Sequence, residues 1–180
     1  MTVYYHITTN LEHKGRFYPR IPKHRIEQEE STTPRVCVAP TIEDCLTGIP
    51  DGGYGLRTLL NNNNNKIKVF RIDTHKLGIQ SKDVLPSVHL FREGLVPDAA
   101  TTNETWIKVA FNVPQEDTFI IEIDNYKEKL KPVVPYHVYK LSQMDWAYKG
   151  DIEKCHLLYH GKGLQGVVAI HDLKYRKEGN

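Results

Sequence analysis

Val3-Tyr4-Tyr5-His6-Ile7-Thr8 sets Val3, Tyr5 and Ile7 against Tyr4 and His6, and that period of two marks a half-buried β-strand. A strand so early in a chain must be paired by later segments, and several qualify. Arg35 to Ala39 is a short β-rich run, and Ile67-Lys68-Val69-Phe70-Arg71-Ile72 is a longer one. Ile107, Val109, Phe111 and Val113 alternate, and after Pro114-Gln115-Glu116-Asp117 so do Phe119, Ile121 and Ile123. These two segments predict an antiparallel hairpin. Val134, Tyr136 and Val138 predict a further strand, and Gly166 to His171 a last one.

Helical signals are fewer. Thr41-Ile42-Glu43-Asp44 resembles a capping box, with Ile42, Cys45, Leu46 and Ile49 following at helical spacing and Pro50-Asp51-Gly52-Gly53 expected to stop the helix. Ser142 to Tyr148 and Asp151 to Tyr159 predict two more short helices. Roughly seven strands against three helices, without regular βαβ alternation, predict an α+β domain of antiparallel or mixed sheets. Glu12 to Pro34 holds three prolines and little periodicity, and an irregular connection of that length usually has a task. Asn61 to Asn65 reads as a solvated turn.

The chain of 180 residues is about one domain's worth, so residues 1–180 are expected to fold as one unit. Apolar residues at 39%, with 12 glycines, place it among globular rather than disordered chains. Lys+Arg 24 against Asp+Glu 22 leaves a charge of +2. Such a balance argues against gripping nucleic acid or an anionic membrane through overall charge, though a local basic patch is compatible with it. No apolar run approaches the roughly 20 residues that cross a bilayer, and Met1 to His6 carries neither charged leader nor apolar core. A cytoplasmic protein without a membrane partner is expected. Cys37, Cys45 and Cys155 cannot all pair within one chain and show no Cys-x-x-Cys spacing. Reduced thiols are the reading, with Cys37 and Cys45 buried as small hydrophobes.

Three groups of residues can carry chemistry. His6, leaving the first strand beside Thr8, can present a ring nitrogen and a hydroxyl to a sugar or phosphate; equally, it can be satisfied by backbone. Arg35, on a strand that feeds a capped helix, offers a fork of donors to an anion, or is a surface arginine. Glu104 stands alone in Thr101-Thr102-Asn103-Glu104-Thr105-Trp106. There it can stabilise a developing cation or take a proton, or simply be an exposed loop acid. No Gly-x-Gly-x-x-Gly or Walker loop follows any strand. His156 and His160, four apart, could share a helix face and bind a metal, but lack a third ligand at motif spacing.

The order of these pieces resembles the ADP-ribosyltransferase superfamily, in its small bacterial or phage forms. Tyr5-His6-Ile7-Thr8 looks like the first-strand motif of rifampin-modifying and DNA-targeting members, and the likeness of layout covers about the first 125 residues. It implies a split β core over 1–125, with 126–180 packed on it as extra strands and helices. It further implies NAD as the substrate that donates ADP-ribose to a macromolecular or small-molecule acceptor, for instance a host protein or nucleic acid. His6, Ile7 and Thr8 would then hold the nicotinamide side of NAD and Glu104 would be the catalytic acid, with Asp83 as its alternative. Arg20 and Arg35 would meet the pyrophosphate. The family's second-position tyrosine or serine is absent from Val36 to Ala39, and Tyr54 is the substitute. No metal is implied. A binding protein that keeps the shell and occludes a partner is the competing reading. An RNA 2′-phosphotransferase of the same fold, using Arg16, Arg20, Arg25 and Arg35, is the third. Leu158-Tyr159-His160-Gly161-Lys162-Gly163 also looks like the first-strand motif, but with too little chain after it for the remaining strands.

Overall fold

The computed structural model describes residues 2–23, 29–49, 52–144, 146 and 148–179, without the side chains of 52–54. Its centre is a strand with two apolar faces, which explains why Ile67, Val69, Phe70 and Ile72 do not keep to a single period-two face. In β4 (Lys66–Asp73), Ile67 and Val69 point into one hydrophobic cluster while Phe70 and Ile72 point into another. β1 (Val3–Thr8) pairs antiparallel with β4 in a register that sets His6 opposite Phe70. On the other edge of β4 lies β8 (Thr118–Val133), followed by β9 (Gln165–Lys177), giving an antiparallel sheet of order β1-β4-β8-β9.

A second antiparallel sheet has β6 (Thr105–Ile107) between β3 (Val36–Val38) and β5 (Val84–Leu85), and β2 (Arg16–Phe17) pairs separately with β7 (Phe111–Asn112). The space between is filled by Phe17, Val38, Phe70, Ile72, Ile107 and Phe111, with Phe17 stacked on Phe111 at 5.0 Å and edge-on to Phe70 at 5.1 Å. Gly15 admits this arrangement: it has φ +73°, its carbonyl accepts from the Val113 amide at 2.9 Å, and a Cβ there would stand 2.6 Å from the carbonyl oxygen of Val113. On the opposite face of the large sheet lie α1 (Ile42–Thr47) and α2 (Gly52–Asn62), burying Ile42, Leu46, Leu56 and Leu60 against Ile67, Ile121 and Ile170. A third cluster gathers Trp106 with Leu90 of α3 (Ser87–Arg92), Val96, and Ala99 of α4 (Ala99–Thr102). α5 (Tyr136–Met144) and α6 (Ile152–His160) connect β8 to β9 and close on Val138, Ser142 and Cys155. Residues after 125 therefore complete β8 and supply β9, whose Ile170 belongs to the main core.

The α+β class and antiparallel pairing are as expected, and several local readings are corrected. Residues 107–113 and 119–123 do not form a hairpin: β6 pairs with β3 and β5, β7 with β2, and β8 with β4 and β9. A 3-10 turn over Gln115–Asp117 sends the chain from one sheet to the other. Val134 to Val138 is not a strand; after Pro135 the chain turns into α5, which takes up the start of the helix expected at Ser142 and begins six residues earlier. The first helix ends at Gly48, and residues 52–62 form a second helix that runs into the asparagines. Asn63 is not idle: its amide donates to the carbonyls of Thr9 and Lys66 at 2.9 and 2.8 Å, joining the end of β1 to the start of β4. No helix among the described residues is long and apolar enough to cross a membrane.

Candidate functional site

β1 and β3 touch at one point and then part. Tyr5 and Ala39 exchange two backbone hydrogen bonds, N to O at 2.7 and 3.0 Å, after which each strand turns to its own sheet. His6 sits beside this junction, and its Nδ1 lies 2.9 Å from the carbonyl oxygen of Cys37. A carbonyl only accepts, so Nδ1 carries the hydrogen and Nε2 keeps its lone pair. Phe17 packs edge-on against the ring at 4.9 Å. Burial, opposed by the Cys37 bond and reinforced by positive charge at His13 and Arg20, pushes the imidazole down to about 4. His6 is therefore neutral at physiological pH.

The parting strands open a pocket of about 180 Å³ lined by His6, Ile7, Cys37, Cys45, Asp44 and Glu104, among others. α1 forms one wall because Thr41 caps it: its hydroxyl accepts from the Asp44 amide at 3.0 Å and donates to the Asp44 carboxylate at 2.7 Å. Asn103, held in the left-handed conformation at the end of α4, donates to the other Asp44 oxygen at 2.9 Å. The next residue is Glu104. Two residues on, along the same face of the strand, Trp106 donates its Nε1 hydrogen to Glu104 Oε1 at 2.6 Å. The Cys37 thiol lies beside this carboxylate. Burial, followed by the negative charge of Glu29, raises the Glu104 carboxyl above its ordinary range, and the Trp106 and Cys37 contacts partly offset that. A carboxylate has about four lone-pair sites, so capacity remains for a ligand hydroxyl.

His6, Ile7 and Glu104 thus meet in one pocket. Thr8 lies in an adjoining depression that shares Ile7 and Ile49 with it, and its hydroxyl accepts from the Asn10 amide. Arg20 is exposed and acts on both His6 and His13; Lys68 is a second cationic neighbour of His13. These three form a basic margin beside His6. Arg35 is elsewhere. Fully buried, it donates to the Thr33 and Glu30 carbonyls at 2.9 and 3.0 Å, pairs with Glu29 and Glu30, and lies 3.9 Å over the Trp106 ring. Its hydrogen bonds go to the protein's own backbone and acids rather than to the pocket, and its role is to fix the indole that holds Glu104. Asp83 ends a 3-10 turn, where its carboxylate accepts from the Gln80 amide, and it is not among the pocket's lining residues. The Tyr54 side chain and Arg25 lie outside the described residues, and Arg16 is exposed on β2.

Sequence reasoning missed Cys37, Asp44, Asn103, Trp106, His13 and Lys68 as parts of this site. Two of them had a visible signal: Trp106 is two residues from Glu104, and Asp44 belongs to the capping box. Tyr159-His160-Gly161 is the end of α6 with Gly161 as its left-handed cap, not a strand motif. Among the described residues no group of three or more His, Cys, Asp or Glu side chains could hold a metal ion. Comparison with protein-family models, curated protein sequences and solved structures returns no match.

Proposed function

We propose that the pocket between β1 and β3 binds the nicotinamide end of NAD and that the protein is an ADP-ribosyltransferase. The observation that carries this reading is the convergence of His6 and Glu104, far apart in sequence, on one concavity. A ligand of dinucleotide size needs a cleft of roughly 300–1,000 Å³. About 180 Å³ accommodates one ring and its ribose, which leaves the pyrophosphate to the margin of Arg20, His13 and Lys68.

The chemistry follows from the residues. Neutral His6 accepts a ribose hydroxyl at Nε2 while Nδ1 holds the Cys37 carbonyl. Cleavage of the nicotinamide glycosidic bond passes electrons to the departing ring and leaves oxocarbenium character on the ribose. Glu104, fixed by Trp106, is placed to stabilise that charge and to accept the proton of the incoming nucleophile. Its raised affinity for a proton suits the second task. Incubation with NAD labelled in the adenylate, with and without a cell lysate, tests the reading. Label transfer, or nicotinamide release that Glu104→Gln abolishes, is expected; absence of transfer, hydrolysis and NAD binding together overturns it.

A further inference from the structure

A larger cavity belongs to none of this. About 440 Å³ in volume, it lies between the end of α3 and the α5–α6 pair, with Phe91, Arg92, Tyr136, His137, His160 and Lys162 on its walls. Its floor is aromatic, Phe91 meeting Tyr136 edge-on at 5.3 Å, both half-buried so that ring surface still faces the cavity. Its polar side is mostly basic, with Glu93 as the one acid on the lining. Arg92 and Lys162 are exposed and have no ion-pair partner among the described residues. His137 and His160 touch through their Nε2 atoms at 3.1 Å, so one donates and the other accepts. His156 donates Nδ1–H to the Lys162 carbonyl at 2.9 Å and stacks on His160 at 4.5 Å, fixing that ring in place.

The surroundings extend the same chemistry. Residues 127–164 hold seven lysines against four acids, an excess of three positive charges in a chain whose total is two. Trp146 is 90% exposed, and Tyr139 and Tyr159 stand exposed on the same pair of helices. Cations interleaved with open aromatic rings are the composition of a surface that tracks a phosphate backbone and stacks unpaired bases.

We propose that this cavity binds an unstacked nucleobase together with its phosphate. The base lies against Phe91 and Tyr136, the His137–His160 pair offers one donor and one acceptor to its edge, and Arg92 and Lys162 hold the phosphate. A free nucleotide and a single-stranded nucleic acid both present that chemistry. Pro97, two residues before α4, lines this cavity, and Thr102, at the end of α4, lines the first pocket.

The test is fluorescence anisotropy with labelled single strands of DNA and RNA of about 12 nucleotides, from about 50 to 200 mM salt. It contains no NAD, so its outcome is independent of the first pocket's ligand. Salt-sensitive binding is expected. Arg92→Glu with Lys162→Glu, at an unchanged melting temperature, should weaken it at least tenfold and flatten the salt slope by about 1.4, the amount due to two phosphate contacts on a single strand. Lys82→Glu, an exposed charge on the 3-10 turn, should leave it unchanged. Full displacement by AMP assigns the site to free nucleotides, and displacement only by longer strands assigns it to a polymer; either supports the proposal. It is overturned if neither strand nor AMP binds, if duplex DNA or polyglutamate competes equally well, or if the paired variant binds like wild type.

Discussion

Arg35→Ala removes the cation that, among the described residues, holds the Glu29 and Glu30 carboxylates beside Trp106. In the wild type the guanidinium is fully buried, pairs with both acids and lies 3.9 Å over the indole. Truncation leaves the Glu29 side chain, only 8% exposed, as a charge without its partner. Breaking a buried pair in this way destabilises by about 3–5 kcal/mol. The lost cation–π contact, worth about 0.5–2 kcal/mol on its own, is part of that figure rather than an addition, because both interactions are lost with the same group. Against a total stability of about 5–15 kcal/mol this is a large fraction. At roughly 2–4 °C per kcal/mol for a domain of this size, the melting temperature should fall by about 6–20 °C. Urea unfolding is the assay, with the midpoint shifting and the m-value unchanged. Arg35→Met, which keeps volume but not charge, should be no more stable than Arg35→Ala unless Glu29 is also made Gln. A loss below about 1 kcal/mol for Arg35→Ala would refute the assignment of this arginine to the fold, returning it to the ligand site.

His6 has a folded-state affinity for protons below its unfolded one, about 4 against 6.5, so its contribution is complete above pH 6.5 and is lost as pH falls towards 4. Over that interval stability should drop by up to about 1.4 kcal/mol per pH unit from this group, and His6→Gln should flatten that limb of the stability curve; an identical curve would contradict it. Thr47 donates to the Glu43 carbonyl and accepts the buried Ile170 amide at 2.9 Å. Thr47→Val keeps the shape and orphans that amide, for a loss of about 1–3 kcal/mol in urea unfolding, whereas a change under 0.5 kcal/mol would mean that the amide finds another partner. Burial pushes the Cys37 and Cys45 thiols up, and Cys155 is fully enclosed. Cys37 and Cys45 are half-buried on the pocket lining, so it is their raised pKa that should keep an aromatic disulfide reagent from labelling them rapidly in the folded protein, with all three labelled in denaturant; fast native labelling of Cys37 or Cys45 would contradict the raised pKa.

Much of the fold lies in local patterns that need no tertiary knowledge. The alternation in β1, the cap at Thr41 and the two-faced run of β4 each carry their own signal, and His6 and Glu104 were singled out as strand-end groups. The partners of the strands were not legible. Phe111 alternates as well as any hairpin residue, but its partner is Phe17, in a strand of two residues too short to display a period. Val134, Tyr136 and Val138 fit an alternating pattern over only three positions, while Pro135 just ahead of α5 was the better indicator of a helix start. Arg35 looked like a ligand hand because no spacing rule ties it to Glu29 and Glu30. Its acids come from the aperiodic connection before it, and only the folded chain brings them to the guanidinium.

Whether His6 and Glu104 form one NAD site is decided by calorimetric titration of NAD run alongside nicotinamide release. Wild-type protein should bind NAD and release nicotinamide. Glu104→Gln, which can still accept the Trp106 hydrogen, should keep the binding and lose the release, and His6→Ala should weaken the binding itself. Absence of NAD binding by the folded wild-type protein, or release that survives Glu104→Gln undiminished, would contradict the account.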